Sequence, residues 1–224
     1  MNEGINTMSG RKAKDKQITL EGYFTAKAYD HRKELDVYDW EKENKIVLGA
    51  RELIPRLLGA KTQGYAPVSD ELGITKFVLF SVDNTVESPP CADMMLTGDF
   101  GQYYEDLEPV RMTEINLTSF PCLSEIDILH VEHVPSNSCL TTGLPGPNES
   151  FFASDIIDNS ISFCAKIGVG HAAPGQVKYY AMAALVGRSP DPNDTSEYIY
   201  AMQQFPVMVL TDSISMSFSW KVYI

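Results

Sequence analysis

His130-Val131-Glu132-His133 gathers residue types that hold a zinc ion. The apolar pattern around it predicts a strand over Ile126–Val134, and a strand sets His130 and Glu132 on one face and His133 on the other. Two histidines on opposite faces cannot chelate one ion, so a structural or surface role is expected. Asp191, Asn193, Asp194 and Glu197 resemble the start of a calcium loop. The twelfth position, where such a loop needs a bidentate Glu, is Met202. A polar hairpin tip is the expectation there, with a weak cation site as the alternative. Gly168-Val169-Gly170-His171 with Gly175 lacks the strand–turn–helix setting of a dinucleotide loop and predicts a turn. Gly59-Ala60-Lys61-Thr62 lacks the Gly directly before Lys that a phosphate loop requires. Asp99-Phe100-Gly101 matches a kinase tripeptide without the accompanying Gly-rich or catalytic loops. There is no Gly-x-Ser-x-Gly. Asn116, Asn148 and Asn193 lie in N-x-Ser/Thr sequons, which carry little weight without a signal peptide. The expectation is a protein that is not an enzyme, with no catalytic residues, no cofactor and no metal.

The four cysteines, Cys91, Cys122, Cys139 and Cys164, are too far apart for a CxxC motif. Cys164 falls in a strand pattern and is expected to be packed and reduced. Cys91 and Cys122 each follow a proline and Cys139 lies in a Ser/Asn loop. Those three are expected to be accessible, as free thiols in a reducing cytosol and as candidates for pairing between subunits after release into an oxidising medium.

Charge is placed unevenly along the 224 residues. Of 18 basic and 30 acidic side chains, 11 and 10 fall in residues 1–60, and 7 and 20 fall thereafter. An acidic body of this kind argues against direct nucleic-acid binding, which needs basic surface to displace counterions. Arg11, Lys12, Lys14 and Lys16 form the one basic cluster, on an N-terminal arm over residues 1–16 that is either a solvated tail or a segment that docks on an acidic neighbour. No apolar run approaches the ~20 residues that cross a bilayer, so no membrane partner is expected. Residues 1–10 carry no apolar signal-peptide core, and synthesis in the cytoplasm is the expectation.

Strand patterns dominate the rest of the chain, residues 17–224. From Ser213 to Ile224 the alternation is unbroken: Ile214, Met216, Phe218, Trp220, Val222 and Ile224 share one face of a predicted strand, with Phe218, Trp220 and Val222 closing the core. Ile18–Tyr29 predicts a first strand, with Phe24, Ala26 and Ala28 opposite Tyr23, Thr25 and Lys27. The charged stretch over residues 30–43 predicts a polar connection anchored by Trp40, which joins the arm as an interface candidate. Asn44 can cap a short helix near residues 45–58, kinked at Pro55 and stopped by Gly59. Ile74–Val82 is a nearly continuous apolar run, expected to be buried on both faces. Further strands are expected over Arg111–Ser119, Ile157–Ile167, Val177–Val186 and Tyr198–Leu210, separated by Gly/Pro turns. The fold class is therefore mainly β, an antiparallel β-sandwich or jelly roll with one short helix and an extended N-terminal arm.

The order of these patterns carries a resemblance. Trp40 precedes Asn44-Lys45-Ile46-Val47 and a helix ending Leu57-Leu58-Gly59. Ile74-Thr75-Lys76-Phe77-Val78-Leu79-Phe80 follows, then Ile161–Ile167, Ala183-Ala184-Leu185-Val186 and a terminal strand containing Trp220. Over about residues 40–224 this order resembles a broad group of tailed-bacteriophage virion proteins, in which an Asn-rooted helix precedes a β-sandwich that ends in a Trp-containing strand. The turn Ser81 to Thr85 departs from that group in lacking glycine, and Ala183-Ala184 lacks an acidic residue often seen there. The resemblance implies a structural role in the virion: a collar, neck, head-decoration or tail-attached component, present as a homo-oligomer and contacting head, portal, neck or tail proteins. The alternative is a carbohydrate- or receptor-binding module of a fibre, with Tyr23, Tyr29, Tyr103, Tyr104, Tyr179 and Tyr180 as stacking platforms. A small-virus capsid protein would need a more basic arm than four residues supply.

Overall fold

A computed structural model describes residues 21–43, 74–82, 110–111, 123–134, 138–139, 143–157, 160–188 and 196–223. These residues form two five-stranded antiparallel sheets. The strands are β1 (Glu21–Asp30), β2 (Leu35–Glu43), β3 (Ile74–Val82), β4 (Val110–Arg111), β5 (Leu123–Glu132), β6 (Ser150–Ile157), β7 (Ser160–Ile167), β8 (Lys178–Arg188), β9 (Glu197–Leu210) and β10 (Ile214–Tyr223). Sheet I has the order β2-β1-β10-β7-β6 and sheet II the order β4-β9-β8-β3-β5. The fold is mainly β and compatible with a jelly-roll sandwich. The expected helix near 45–58 and the arm over 1–16 lie outside the described residues.

The terminal alternation places β10 in the middle of sheet I, between β1 and β7. Its apolar set faces sheet II: Met216, Phe218 and Trp220 are buried, and Val222 packs on the margin of the same core. Register pairs large side chains with small ones across the ladder. Ala26 stands beside Phe218 and Ala28 beside Met216, while Phe24 meets Trp220. Phe24 also stacks on Phe205 of sheet II at 5.7 Å between ring centroids, so the two layers are joined ring to ring.

The central strands of sheet II are buried on both faces, β3 over Phe77–Phe80 and β8 over Tyr180–Val186. Phe77, Leu79, Ala183, Leu185 and Ala201 line the core between the sheets, and Val78, Phe80, Met182, Ala184 and Val186 of the opposite face are equally buried. The unbroken apolar stretch Phe77–Phe80 within Ile74–Val82 suits such a strand. The β8–β9 register shifts between Tyr180 and Met182. Pro206 falls where the ladder is interrupted, the position a residue without an N–H tolerates.

Two elements differ from the sequence expectation. The charged stretch expected to be a connection forms β2, paired with β1 from Tyr23↔Glu43 to Asp30↔Leu35. An edge strand needs only one apolar face, and Tyr38 and Trp40 supply it. Residues 150–157 also form a strand, β6, outside the sequence expectation; the strand expected over 157–167 is β7, from Ser160, with Ile157 ending β6 opposite it. Apolar side chains on both faces of β6, Phe151 and Ala153 against Phe152, hide the period of two that would have marked it.

Candidate interaction surface

The outer face of sheet I is a polar grid set by register. Tyr23 lies between Glu43 and Lys221, Thr25 between Glu41 and Ser219, and Lys27 between Asp39 and Ser217. Because Phe24, Ala26 and Ala28 point into the core, these residues point outward. Lys27 Nζ pairs with Asp39 at 3.0 Å. The exposed Tyr23 ring meets Tyr223 edge-on at 6.4 Å, and Lys221 Nζ lies 4.9 Å from the Tyr223 centroid.

Strand β2 bounds this face, and only its two aromatics are partly buried. Tyr38 Oη donates to the Pro206 carbonyl at 2.6 Å, tying the edge of sheet I to sheet II. Burial pushes the Tyr38 phenol pKa above its ordinary value. Trp40, one of the expected interface residues, turns its ring inward, 6.2 Å from both Phe24 and Phe205. The carboxylates of Asp36, Asp39, Glu41 and Glu43 remain exposed. Among the described residues β2 pairs only with β1, which makes it the edge strand of sheet I.

At the opposite end of the β1–β2 hairpin an open cleft of about 590 Å³ lies between that hairpin, the β9–β10 turn and the segment before β8. Asp30 is buried beneath it. Its carboxylate accepts hydrogen bonds from the backbone N–H of Arg32 (2.9 Å) and Lys33 (3.4 Å) and from Ser213 Oγ (3.2 Å), and it pairs with Lys33 Nζ at 3.4 Å. Burial would raise the Asp30 pKa, but these donors outweigh it and hold the carboxyl below its ordinary value. Arg32 pairs with Asp212 at 2.6 Å and His31 with Ser215 at 2.9 Å. The charges thus neutralise one another and clasp two turns together. Val37, Val177 and Val209 leave the rim apolar and exposed.

His130 and Glu132 are exposed, whereas His133 Nε2 is 3.0 Å from Ser154 Oγ and its ring meets Phe152. Burial lowers the His133 pKa. The backbone here links the sheets: His133 N–H donates to the Thr75 carbonyl and Val134 N–H to the Phe152 carbonyl. Glu197, read as part of a possible cation loop, pairs instead with Lys76 at 2.5 Å, and Lys76 also reaches Glu132 at 3.4 Å. Among the described residues no group of three or more His, Cys, Asp or Glu side chains could hold a metal.

The cysteine expectation needs correction. Cys139 and Cys164 form an intrachain disulfide, with Cα atoms 5.6 Å apart. Cys164 is packed, as its strand pattern indicates, but on the outer face of sheet I beside Ala153 and Phe151. There the connection carrying Cys139 lies over it, so neither sulfur is a free thiol. The sequence holds no signal for this contact, because β6 is not legible in it. Arg11, Lys12, Lys14, Lys16, Cys91, Cys122, Tyr103, Tyr104 and Asp191–Asp194 lie outside the described residues.

Comparison with protein-family models, curated proteins and solved structures gives no match to this chain.

Proposed function

We propose that this protein is a non-enzymatic structural component of a tailed-bacteriophage virion that self-associates as a symmetric oligomer and docks to neighbouring head, neck or tail proteins. The order of sequence patterns over residues 40–224 supports the virion setting. The observation that carries self-association is the edge of sheet I: β2 is nine residues long, its outward side chains are exposed, and among the described residues nothing pairs with its outer backbone edge. Monomeric proteins blunt long exposed edges or cover them, whereas assembling proteins use them as contacts. Light scattering and native mass measurement of the purified chain test the proposal. A discrete multimer that survives dilution supports it, and a monomer at every concentration overturns it. Recovery of the chain in washed particles, or its absence from them, tests the virion setting.

A carbohydrate-binding role is the second reading, favoured by one observation. Tyr23 and Tyr223 pair on the outer face of sheet I beside the hydroxyls of Thr25 and Ser219. Of the other tyrosines weighed as platforms, Tyr180 is buried and Tyr29 packs edge-on against His31. Glycan-array binding that disappears in Tyr23→Ala would establish this role, and an array without binding would dismiss it.

A further inference from the structure

We infer that the cleft between the β1–β2 hairpin, the β9–β10 turn and the segment before β8 binds an aliphatic carboxylate, with its chain on the valines and its head against Arg32 and Lys33. The site does not depend on self-association. Every residue that lines the cleft is among the described residues, and so are the segments that frame it, residues 31–34, 173–177 and 211–213. Its volume of about 590 Å³ falls within the range of about 300–1,000 Å³ that small-molecule sites occupy.

Apolar exposure concentrates at this cleft. Of the seven large hydrophobic side chains exposed among the described residues, Val37, Val177 and Val209 all line it, each 39–44% exposed. A fourth, Leu35, pairs in register with Asp30, which lies beneath the cleft. The three valines come from β2, from the segment before β8 and from β9, so only the tertiary fold gathers them. A gathered apolar patch rimmed by polar residues is the usual mark of a ligand groove. The lining branches are aliphatic, and the one aromatic among them, Tyr38, spends its hydroxyl on the Pro206 carbonyl.

Hydrogen-bonding capacity decides the head group. The acceptors are largely committed. Asp30 is met by two backbone N–H groups, the Ser213 hydroxyl and Lys33, and Asp212, with a side chain only 17% exposed, is paired to Arg32. The donors are not. Arg32 gives one side-chain N–H to Asp212, and Lys33 Nζ makes a single contact of 3.4 Å with Asp30, while these side chains stay 69% and 68% exposed. Gln176 accepts the Ala173 N–H on Oε1, which leaves its amide N–H groups unspent. Spare donors therefore remain on three side chains of the lining, and two of them are cationic. A carboxylate accepts on both oxygens and forms the stronger, charge-assisted bonds with such donors. A cationic head would meet Arg32 and Lys33 and find the carboxylates already paired.

Titration of the full chain with decanoate, below its micelle concentration and followed through isotope-labelled valine methyl signals, tests the inference. The signals of Val37, Val177 and Val209 should shift saturably. Decanol should bind roughly tenfold more weakly, having lost the charge-assisted bonds, and decylammonium more weakly still. Rising salt should weaken decanoate and spare decanol. Lys33→Gln leaves the Arg32–Asp212 pair in place and should weaken decanoate several-fold without changing decanol. Val177→Asp, at an exposed position, should weaken both. Absent shifts, shifts spread over valines away from the cleft, or equal affinity for decanoate and decanol overturns the inference. Decanoate binding that is unchanged in Lys33→Gln and in Arg32→Gln overturns it as well.

Discussion

Phe24 of β1 and Trp220 of β10 face each other across the ladder of sheet I, with ring centroids 4.8 Å apart and planes at 71°. Both rings are buried, and Phe24 passes the contact on to Phe205 of the other sheet. The closing strand of the described fold is thereby joined to its first strand and to the opposite layer through one aromatic cluster.

Trp220→Ala should therefore cost about 3–5 kcal/mol, the usual range for truncating a core aromatic. Trp220 Nε1 is buried without a hydrogen-bond partner. Trp220→Phe removes that unsatisfied donor and keeps most of the apolar volume, so it should cost clearly less. Urea unfolding of both variants checks the order. Equal losses would contradict the burial of an unpaired N–H.

The Cys139–Cys164 bridge closes a loop with a sequence separation of 25. Chain entropy assigns such a loop about 3.5 kcal/mol. Cys139→Ser with Cys164→Ser, or reduction of the wild type, should lower the melting temperature accordingly. Peptide mapping without reductant should recover the 139–164 pair within one chain. Recovery of Cys139 bridged to another subunit would refute the assignment.

Gly168 lies where an added Cβ would collide with the backbone carbonyl of Gly146 and crowd that of Pro145. Its N–H donates to the Glu149 carbonyl at 2.9 Å, which holds the 143–149 segment against the end of β7. Gly168→Ala should cost about 1–3 kcal/mol through backbone displacement. A thermal melt unchanged from wild type would show that the segment yields freely.

Acid should weaken the fold in two windows. The His133 pKa is lowered by burial, so the folded state resists protonation that the unfolded chain accepts. Stability from this group is full above its ordinary value of 6.5 and is lost as pH falls through the lower folded value. The Asp30 carboxyl, held low by its donors, contributes above 3.8 and loses that contribution as pH falls through its folded value. Melting temperatures against pH should show Asp30→Asn below wild type at neutral pH, with the gap narrowing at the acid end. A constant gap would remove Asp30 as the titrating group.

Patterns that repeat along the chain are legible in the amino-acid sequence itself. The alternation from Ser213 predicts both the existence of β10 and the face it buries, and the run Ile74–Val82 predicts a strand buried on both sides. Each is a local property: a period of two fixes a face, and a nearly unbroken apolar run leaves little face for water. The remaining elements depend on partners far away in sequence. Leu35–Glu43 is a strand because β1 offers it a ladder and Phe205 receives Trp40, and neither neighbour is visible in its own charged composition. Ser150–Ile157 becomes legible only beside β7, and with it the pairing of Cys139 to Cys164. Cysteine connectivity is not contained in spacing. It is decided by which backbone segments the tertiary fold brings to within one disulfide's reach.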